Sequence, residues 1–177
     1  MPGTFASRVF LILCLTGAAS RSYAVDPGKQ KPSASAIQIE MTDAGESRIP
    51  VTFRYAIYEQ MVGHVERSGT FQTTYRSGDR RAKNAPDLLT LRTIVGKFRE
   101  GSQTARELTD FFGWTRVEVT AVVAAPDGRT LLEKTVIGKI RFRGDNLKVT
   151  DDLGKQLTKL LRENFTATGT PAASATK

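Results

Sequence analysis

Very few side chains in this sequence could carry catalytic or metal-binding chemistry. The 177 residues include one histidine, His64, and one cysteine, Cys14. A histidine base needs a nucleophile and an orienting carboxylate, and no spacing in the sequence pairs His64 with either. A catalytic zinc ion usually takes three protein ligands, often with more than one histidine. We therefore expect His64 to lie on a helix surface, and we expect neither a metal nor a cofactor.

Pairs of carboxylates are the other route to acid–base catalysis. Glu100 and Glu107 fall in one predicted loop, where they could meet. Asp127 is more simply a turn residue, and Asp151 and Asp152 suit the positive end of a helix dipole. The sequence therefore predicts a protein that is not an enzyme, with a hydrolase as the least favoured alternative.

Positive charge is the more prominent feature, because 26 Lys and Arg residues stand against 18 Asp and Glu residues, a formal net charge of +8. One group of cations, which begins at Arg76, surrounds a single loop. A second group alternates along the last predicted strand, so its members share one face, opposite Ile140 and Phe142. The candidate anion- or partner-binding residues in these two groups are Arg80, Arg81, Lys83, Lys139, Arg141 and Arg143. An ordinary solvated sheet face has the same composition, so that alternative stays open.

Three aromatic residues fall within four positions, at Phe111, Phe112 and Trp114. Aromatic side chains bury large areas, so the run could close one end of the hydrophobic core. The alternative is a protein-contact patch or an element that enters a membrane interface. That alternative makes Phe111, Phe112 and Trp114 candidate binding residues.

The N-terminal residues have the order of a secretory signal peptide. Arg8 precedes an apolar run at 9–15, and small residues follow as far as Ala24. Cleavage is predicted after Ala24, with cleavage after Ala19 as the alternative. Leu13 before Cys14 disfavours lipid attachment to that cysteine. The apolar run is shorter than the ~20 residues that span a bilayer, and no later segment qualifies. We expect a periplasmic or secreted protein without a transmembrane segment after cleavage.

Periodicity predicts a single domain over 36–165, between disordered segments at 25–35 and 166–177 that are rich in Pro, Gly, Ser and Thr. Helices are predicted over 50–67 and 150–165, the second capped by Thr150 and carrying a leucine stripe. Strands are predicted over 36–41, 71–76, 88–98, 114–124 and 131–142, with a tight turn at Gly128 between the last two. The fold class is α+β: a mostly antiparallel four- to five-stranded sheet with two helices on one face, in the order β-α-β-β-β-α.

Several short motifs resemble a known family. They are Ser68-Gly69-Thr70-Phe71 after the first helix, Ala85-Pro86-Asp87 before a strand, the stretch 98–106, the turn 126–129 and the closing helix. Over residues 50–165 the chain resembles the bacterial exported proteins labelled domain of unknown function 4410. The resemblance implies a small envelope protein without an established enzymatic activity. More broadly, the chain is similar to modules of envelope assembly factors, such as the curli-secretion channel subunit and the activators of cell-wall synthases.

These observations favour a non-catalytic binding or assembly module of the bacterial cell envelope. The expected partner is another envelope protein or an anionic envelope polymer, and no nucleic acid is expected because the protein is exported. The alternative is a carrier or sensor of an anionic glycan or lipid.

Overall fold

The computed structural model describes residues 31–101, 115–140 and 147–167. The predicted signal peptide lies outside these residues. The described part contains seven strands, two α-helices and one 3₁₀ helix. The strands are β1 (Ser33–Ala34), β2 (Ala36–Ile39), β3 (Thr73–Tyr75), β4 (Leu88–Arg99), β5 (Thr115–Ala124), β6 (Thr130–Ile140) and β7 (Thr166–Ala167). The helices are α1 (Val51–Ser68), the 3₁₀ helix (Arg80–Asn84) and α2 (Lys148–Asn164).

Five of the strands form one mixed sheet in the order β3-β2-β4-β5-β6. The long pairings, β4 with β5 and β5 with β6, are antiparallel. The short strand β2 pairs in parallel with both β3 and β4. The predicted α+β class is confirmed, and the parallel pairs arise because α1 carries the chain back to the same end of the sheet before β3 begins.

The residues 50–67 satisfy both strand and helix periodicities, and the structure confirms the helix. Phe53, Ile57, Met61 and Val65 repeat every four residues and are all buried in α1. Pro50 stands immediately before the first helical residue, where its missing N–H costs no hydrogen bond. Gly69 ends the helix in the left-handed conformation, with φ +61°.

The second helix begins earlier than predicted, and Thr150 is not its N-cap. α2 starts at Lys148, and the Thr150 hydroxyl donates to the Leu147 carbonyl oxygen at 2.6 Å. A threonine in the first turn can bond back to the preceding turn in this way, so its type alone does not mark the boundary. The leucine stripe is as predicted, because Leu153, Leu157, Leu160 and Leu161 are all buried.

Both helices pack on one face of the sheet and form the core with it. Alternate residues of β5, from Val117 to Val123, are fully buried beneath them. Phe53 of α1 packs its ring on Phe98 of β4, with the centroids 5.0 Å apart. The turn between β5 and β6 is the predicted one, with Gly128 at φ +82° and its N–H donating to the Ala125 oxygen.

Two short strands lie just outside the predicted limits of the domain at 36 and 165. β1 and β7 pair in parallel, Ser33 with Thr166 and Ala34 with Ala167. The Thr166 N–H also donates to the Pro32 oxygen at 3.1 Å. The two ends of the described chain therefore meet beside the core. Neither described helix has the length and hydrophobicity that crossing a bilayer demands.

Candidate functional site

The face of the sheet opposite the helices, here called the outer face, is the broad surface that the helices leave uncovered. On β5 its residues alternate with the buried valines. Ile94 at its centre is 40% exposed. Beside it, the hydroxyls of Thr120 and Thr135 lie 3.3 Å apart across β5 and β6. The centre of the outer face is therefore a mixture of threonine and aliphatic side chains.

One end of the outer face is basic. Arg99, Arg116 and Lys139 lie side by side on three neighbouring strands, because Arg99 pairs with Arg116 and Arg116 pairs with Lys139. Glu118 neutralises part of this charge, with oxygens 2.6 Å from the Arg116 guanidinium and 4.0 Å from the Lys97 amine. Like charges directly across a sheet are destabilising, so the row of three cations is a feature that stability does not require. We call Arg99, Arg116 and Lys139 the basic row.

Lys139 belongs to the predicted second group of cations, and it lies exposed on the outer face. Its backbone N–H donates to Asp152 Oδ2 of α2 at 3.2 Å, so α2 covers this part of the β6 edge. Arg141 and Arg143, the other members of that group, lie outside the described residues.

The loop cations lie at the other end of the sheet, and two of the four are neutralised locally. The Arg76 guanidinium donates to both oxygens of Glu59, at 2.7 and 2.9 Å. That contact lowers the pKa of the Glu59 carboxyl below its usual value. Arg81 is held by Asp79 at 2.8 Å, which likewise lowers the Asp79 pKa. These two arginines shape the loop, and their charge is balanced within it.

The two remaining loop cations are Arg80 and Lys83. Among the described carboxylates, none lies within ion-pair distance of either side chain. Lys83 lines a groove of about 400 Å³ that also includes Thr90 and Arg92 of β4 and Pro126 of the β5–β6 turn. This groove opens at the end of the outer face opposite the basic row.

The two groups of cations cannot meet around one small ligand. The groove that Lys83 lines extends along β4 as far as Arg92, and the basic row includes Arg99, seven residues further along the strand. Seven residues of strand cover about 23 Å at ~3.3 Å per residue. Only an extended polymer or a protein surface could contact Lys83 and Lys139 together.

His64 is not on a helix surface, so that expectation was wrong. The ring is 16% exposed, and its Nε2 atom lies 2.7 Å from Asp151 Oδ1 on the other helix. Asp151 also binds the Lys155 amine at 2.7 Å. The Lys155 hydrogen bond and then that of His64 lower the pKa of the Asp151 carboxyl. The ring fits there because Gly154 has no side chain; a Cβ at that position would lie 2.6 Å from His64 Cδ2.

The histidine–carboxylate pair joins the two helices. Ser68, one turn after His64, donates its hydroxyl to the Val65 oxygen at 2.7 Å and is engaged locally. Within the described ranges, no three His, Cys, Asp or Glu side chains come together as a metal site would require. The pair is therefore accounted for by helix packing.

The other candidate residues have simple placements. Asp127 accepts the Arg129 N–H at 3.0 Å, as a turn residue does. Glu100 is exposed after the last residue of β4. The aromatic residues Phe111, Phe112 and Trp114 lie outside the described residues, as does Glu107, the predicted partner of Glu100.

Comparison with known proteins identifies the fold. No family model matches the sequence, and no curated protein matches it. Among solved structures, the PelC dodecamer of Paraburkholderia phytofirmans superposes with a TM-score of 0.54 at 16% identity, over 73% of this chain and 93% of that one. A single-residue PelC variant, also a dodecamer, superposes with a TM-score of 0.55 at 16% identity, over 75% and 95% of the two chains. This chain therefore shares the fold of PelC.

Proposed function

We propose that this protein is an exported, non-enzymatic module of the bacterial cell envelope that assembles into a homo-oligomer and binds a negatively charged partner through its outer face. Membership of the family labelled domain of unknown function 4410, export through the N-terminal signal and a periplasmic or secreted location are parts of the same proposal. The single observation that carries it is the outer face, which is exposed and has uncompensated cations at both ends.

The charge on the outer face argues for the kind of partner. In the described part of the chain, Arg99 and Lys139 have no carboxylate within ion-pair distance, and neither do Arg80 and Lys83 at the other end. An anionic partner that spans the face would offset the repulsion within the basic row. An acidic envelope protein and an anionic envelope polymer both have this character.

The assembly part of the proposal is supported by the fold. PelC, whose fold this chain shares, is a dodecamer. Two copies of this chain packed outer face to outer face would oppose like charges, which disfavours that arrangement. We infer that copies associate through other surfaces and leave the outer face free for the partner.

The assembly part is tested by measuring the mass of the mature protein in solution. The full-length precursor is expressed with export, and light scattering after size-exclusion chromatography gives the assembled mass. We expect a mature chain without its first residues and a mass that is a multiple of the protomer. Recovery of the intact precursor would refute export. A protein that remains a monomer throughout the micromolar range would refute assembly.

The binding part is tested with polygalacturonate as an anionic polymer and dextran as a neutral one. The Arg99→Ala/Lys139→Ala variant is compared with Arg129→Ala/Lys134→Ala, which removes the same charge from exposed positions elsewhere. We expect a loss of at least about tenfold in affinity for the first variant only. Equal losses in both variants would show that net charge alone drives the binding.

The carrier or sensor of an anionic glycan or lipid is the second candidate, and the basic row favours it. Salt dependence tests the charge-based part of both candidates. Steep loss of binding as salt rises supports an anionic partner on the outer face, whereas binding that is indifferent to salt would contradict it and would indicate a partner held by the threonine and aliphatic centre of the face.

A further inference from the structure

An open cleft of about 270 Å³ lies between the C-terminal part of α1 and the middle of α2. It lies on the helical layer, which covers the opposite face of the sheet from the outer face. Arg67, Lys155, Lys159 and Arg162 line it with cations, Ser68 and Thr158 line it with hydroxyls, and the His64 ring completes the lining. We call it the helix cleft.

The spacing of the cations explains why they share the helix cleft. Lys155, Lys159 and Arg162 are separated by four and three residues, which places them on one face of α2. Arg67 reaches the cleft from α1 and lies back along its own helix. A Cβ at Gly63 would be 3.1 Å from Arg67 Nη1, so the glycine leaves room for that position.

Carboxylates balance only part of this charge. Lys155 binds Asp151 at 2.7 Å, and Lys159 lies 3.8 Å from Glu163. Within the described ranges, no carboxylate lies within ion-pair distance of Arg67 or Arg162. Cations four residues apart on a helix repel each other, so the arrangement costs stability in the absence of an anion.

Thr158 supplies an independent observation. It is 8% exposed and lines the helix cleft, and its buried Oγ1 atom has no hydrogen-bond partner among the described residues. A buried hydroxyl without a partner is unfavourable, and such groups call for a specific explanation. A donor that lacks an acceptor, in a cleft that two uncompensated arginines also line, points to an acceptor-rich ligand.

We propose that the helix cleft binds the phosphate group of a small phosphomonoester. Arg67 and Arg162 donate to the phosphate oxygens through their forked guanidinium groups, and the Thr158 hydroxyl donates to a third oxygen. The volume is slightly below the ~300–1,000 Å³ of typical ligand pockets, which suits a phosphate with one small substituent. The site goes beyond the proposed function, because it shares no residue with the outer face.

Isothermal titration of the mature protein with inorganic phosphate and with glucose 1-phosphate tests the proposal. Arg67→Ala/Arg162→Ala is compared with Arg129→Ala/Lys134→Ala, the same charge-matched control. Both pairs are exposed, so both variants are expected to fold. We expect a loss of at least about tenfold for the cleft variant and less than about twofold for the control.

The hydroxyl is tested separately. Thr158→Val keeps the shape of the side chain and removes the donor, whereas Thr158→Ser keeps the donor. We expect the valine variant to lose at least about threefold in affinity and the serine variant to bind as the parent does. Parent-like binding by the valine variant would overturn the assignment of Thr158 as a ligand and the built site with it.

A final arm distinguishes a free phosphomonoester from a lipid headgroup. Flotation with phosphatidic acid vesicles, whose headgroup is a phosphomonoester, against phosphatidylcholine vesicles, is measured for the parent and for Arg67→Ala/Arg162→Ala. Vesicle binding that depends on these arginines supports the phosphate site with a lipid as its source. Absence of binding to phosphate, glucose 1-phosphate and vesicles alike, or equal binding by the cleft variant, would overturn the proposal. None of these outcomes bears on the assembly or outer-face tests.

Discussion

Two glycine-to-alanine substitutions in helix interiors should have opposite effects on stability. Gly63 lies in α1 and Gly154 lies in α2. A Cβ at Gly63 first meets Arg67 Nη1, at 3.1 Å. A Cβ at Gly154 meets His64 Cδ2 at 2.6 Å and the Gln60 backbone oxygen at 3.1 Å.

The magnitudes follow from these contacts. Alanine is better than glycine inside a helix by about 0.8–1 kcal/mol. Gly63→Ala should raise the free energy of unfolding by most of that amount, because the end of the exposed Arg67 side chain can move. At Gly154 the neighbour is a ring held by Asp151, at about 1 Å less than the ~3.5–4.0 Å of a normal carbon contact. Overpacking of this kind costs about 1–3 kcal/mol, and the helix preference for alanine offsets about 1 kcal/mol of it, so we expect Gly154→Ala to lose up to about 2 kcal/mol in all.

Urea unfolding of the mature protein, followed by circular dichroism, measures both changes. The dependence of the free energy of unfolding on urea concentration should be unchanged, and the urea concentration at the midpoint should rise for Gly63→Ala and fall for Gly154→Ala. A Gly154→Ala variant that gains as much stability as Gly63→Ala would refute the close approach of the two helices. In a His64→Ala background, the loss of stability caused by Gly154→Ala should be smaller by about 1 kcal/mol or more, because the ring that the new Cβ would meet is absent.

Three further predictions concern buried hydroxyls and one carboxylate. Thr158→Val should raise the free energy of unfolding by about 1 kcal/mol, measured in urea, because it removes a buried hydroxyl without a partner. Thr93→Val should lower the free energy of unfolding by about 1–3 kcal/mol, because it leaves the buried Thr42 hydroxyl, 3.1 Å away, without its partner. The double variant Thr42→Val/Thr93→Val should recover most of that loss. The pKa of the Asp151 carboxyl is lowered, so the ionised carboxylate stabilises the fold above its ordinary pKa of 3.8, and this contribution is lost as the pH falls below that value. The Asp151→Asn variant should therefore show a weaker dependence of the free energy of unfolding on pH in that acid range. A pH dependence equal to that of the parent would contradict the pairing.

The elements that periodicity predicted best are those with a single dominant face. Strand β5 alternates strictly, and its hairpin with β6 closes on Gly128, because glycine adopts the positive φ of the turn without strain. The leucine stripe of α2 repeats at helical spacing and is buried as expected. The boundary at Thr150 was wrong because the residue type that caps a helix also bonds inside its first turn.

The neighbours of a strand were harder to predict than its faces. Alternation says which residues of β2 point inwards but not which strands lie on either side of it. The signal was present nonetheless, because the 18-residue helix α1 separates β2 from β3. A connection of that length and type joins parallel strands, as it does here.

The contacts that shape the helical layer join residues far apart in the chain. His64 and Asp151 are 87 positions apart, and no local pattern could pair them. Gly154, a glycine within the apolar face of an amphipathic helix, was the residue that could have indicated a close approach of another helix. The helix cleft was missed for the same reason, since its cations come from both helices.

The arrangement of charge supports the proposal of two binding surfaces, one on each side of the sheet. The outer face carries uncompensated cations in two groups separated by about 23 Å of strand, which suits an extended anionic partner. The helix cleft gathers its cations around about 270 Å³, which suits a small phosphate ester. Because the sheet separates the two surfaces, a ligand in the cleft does not compete for contacts with a partner on the outer face. A single protomer could therefore hold both at once, and variants of Arg99 with Lys139 and of Arg67 with Arg162 should each weaken one kind of binding and leave the other intact.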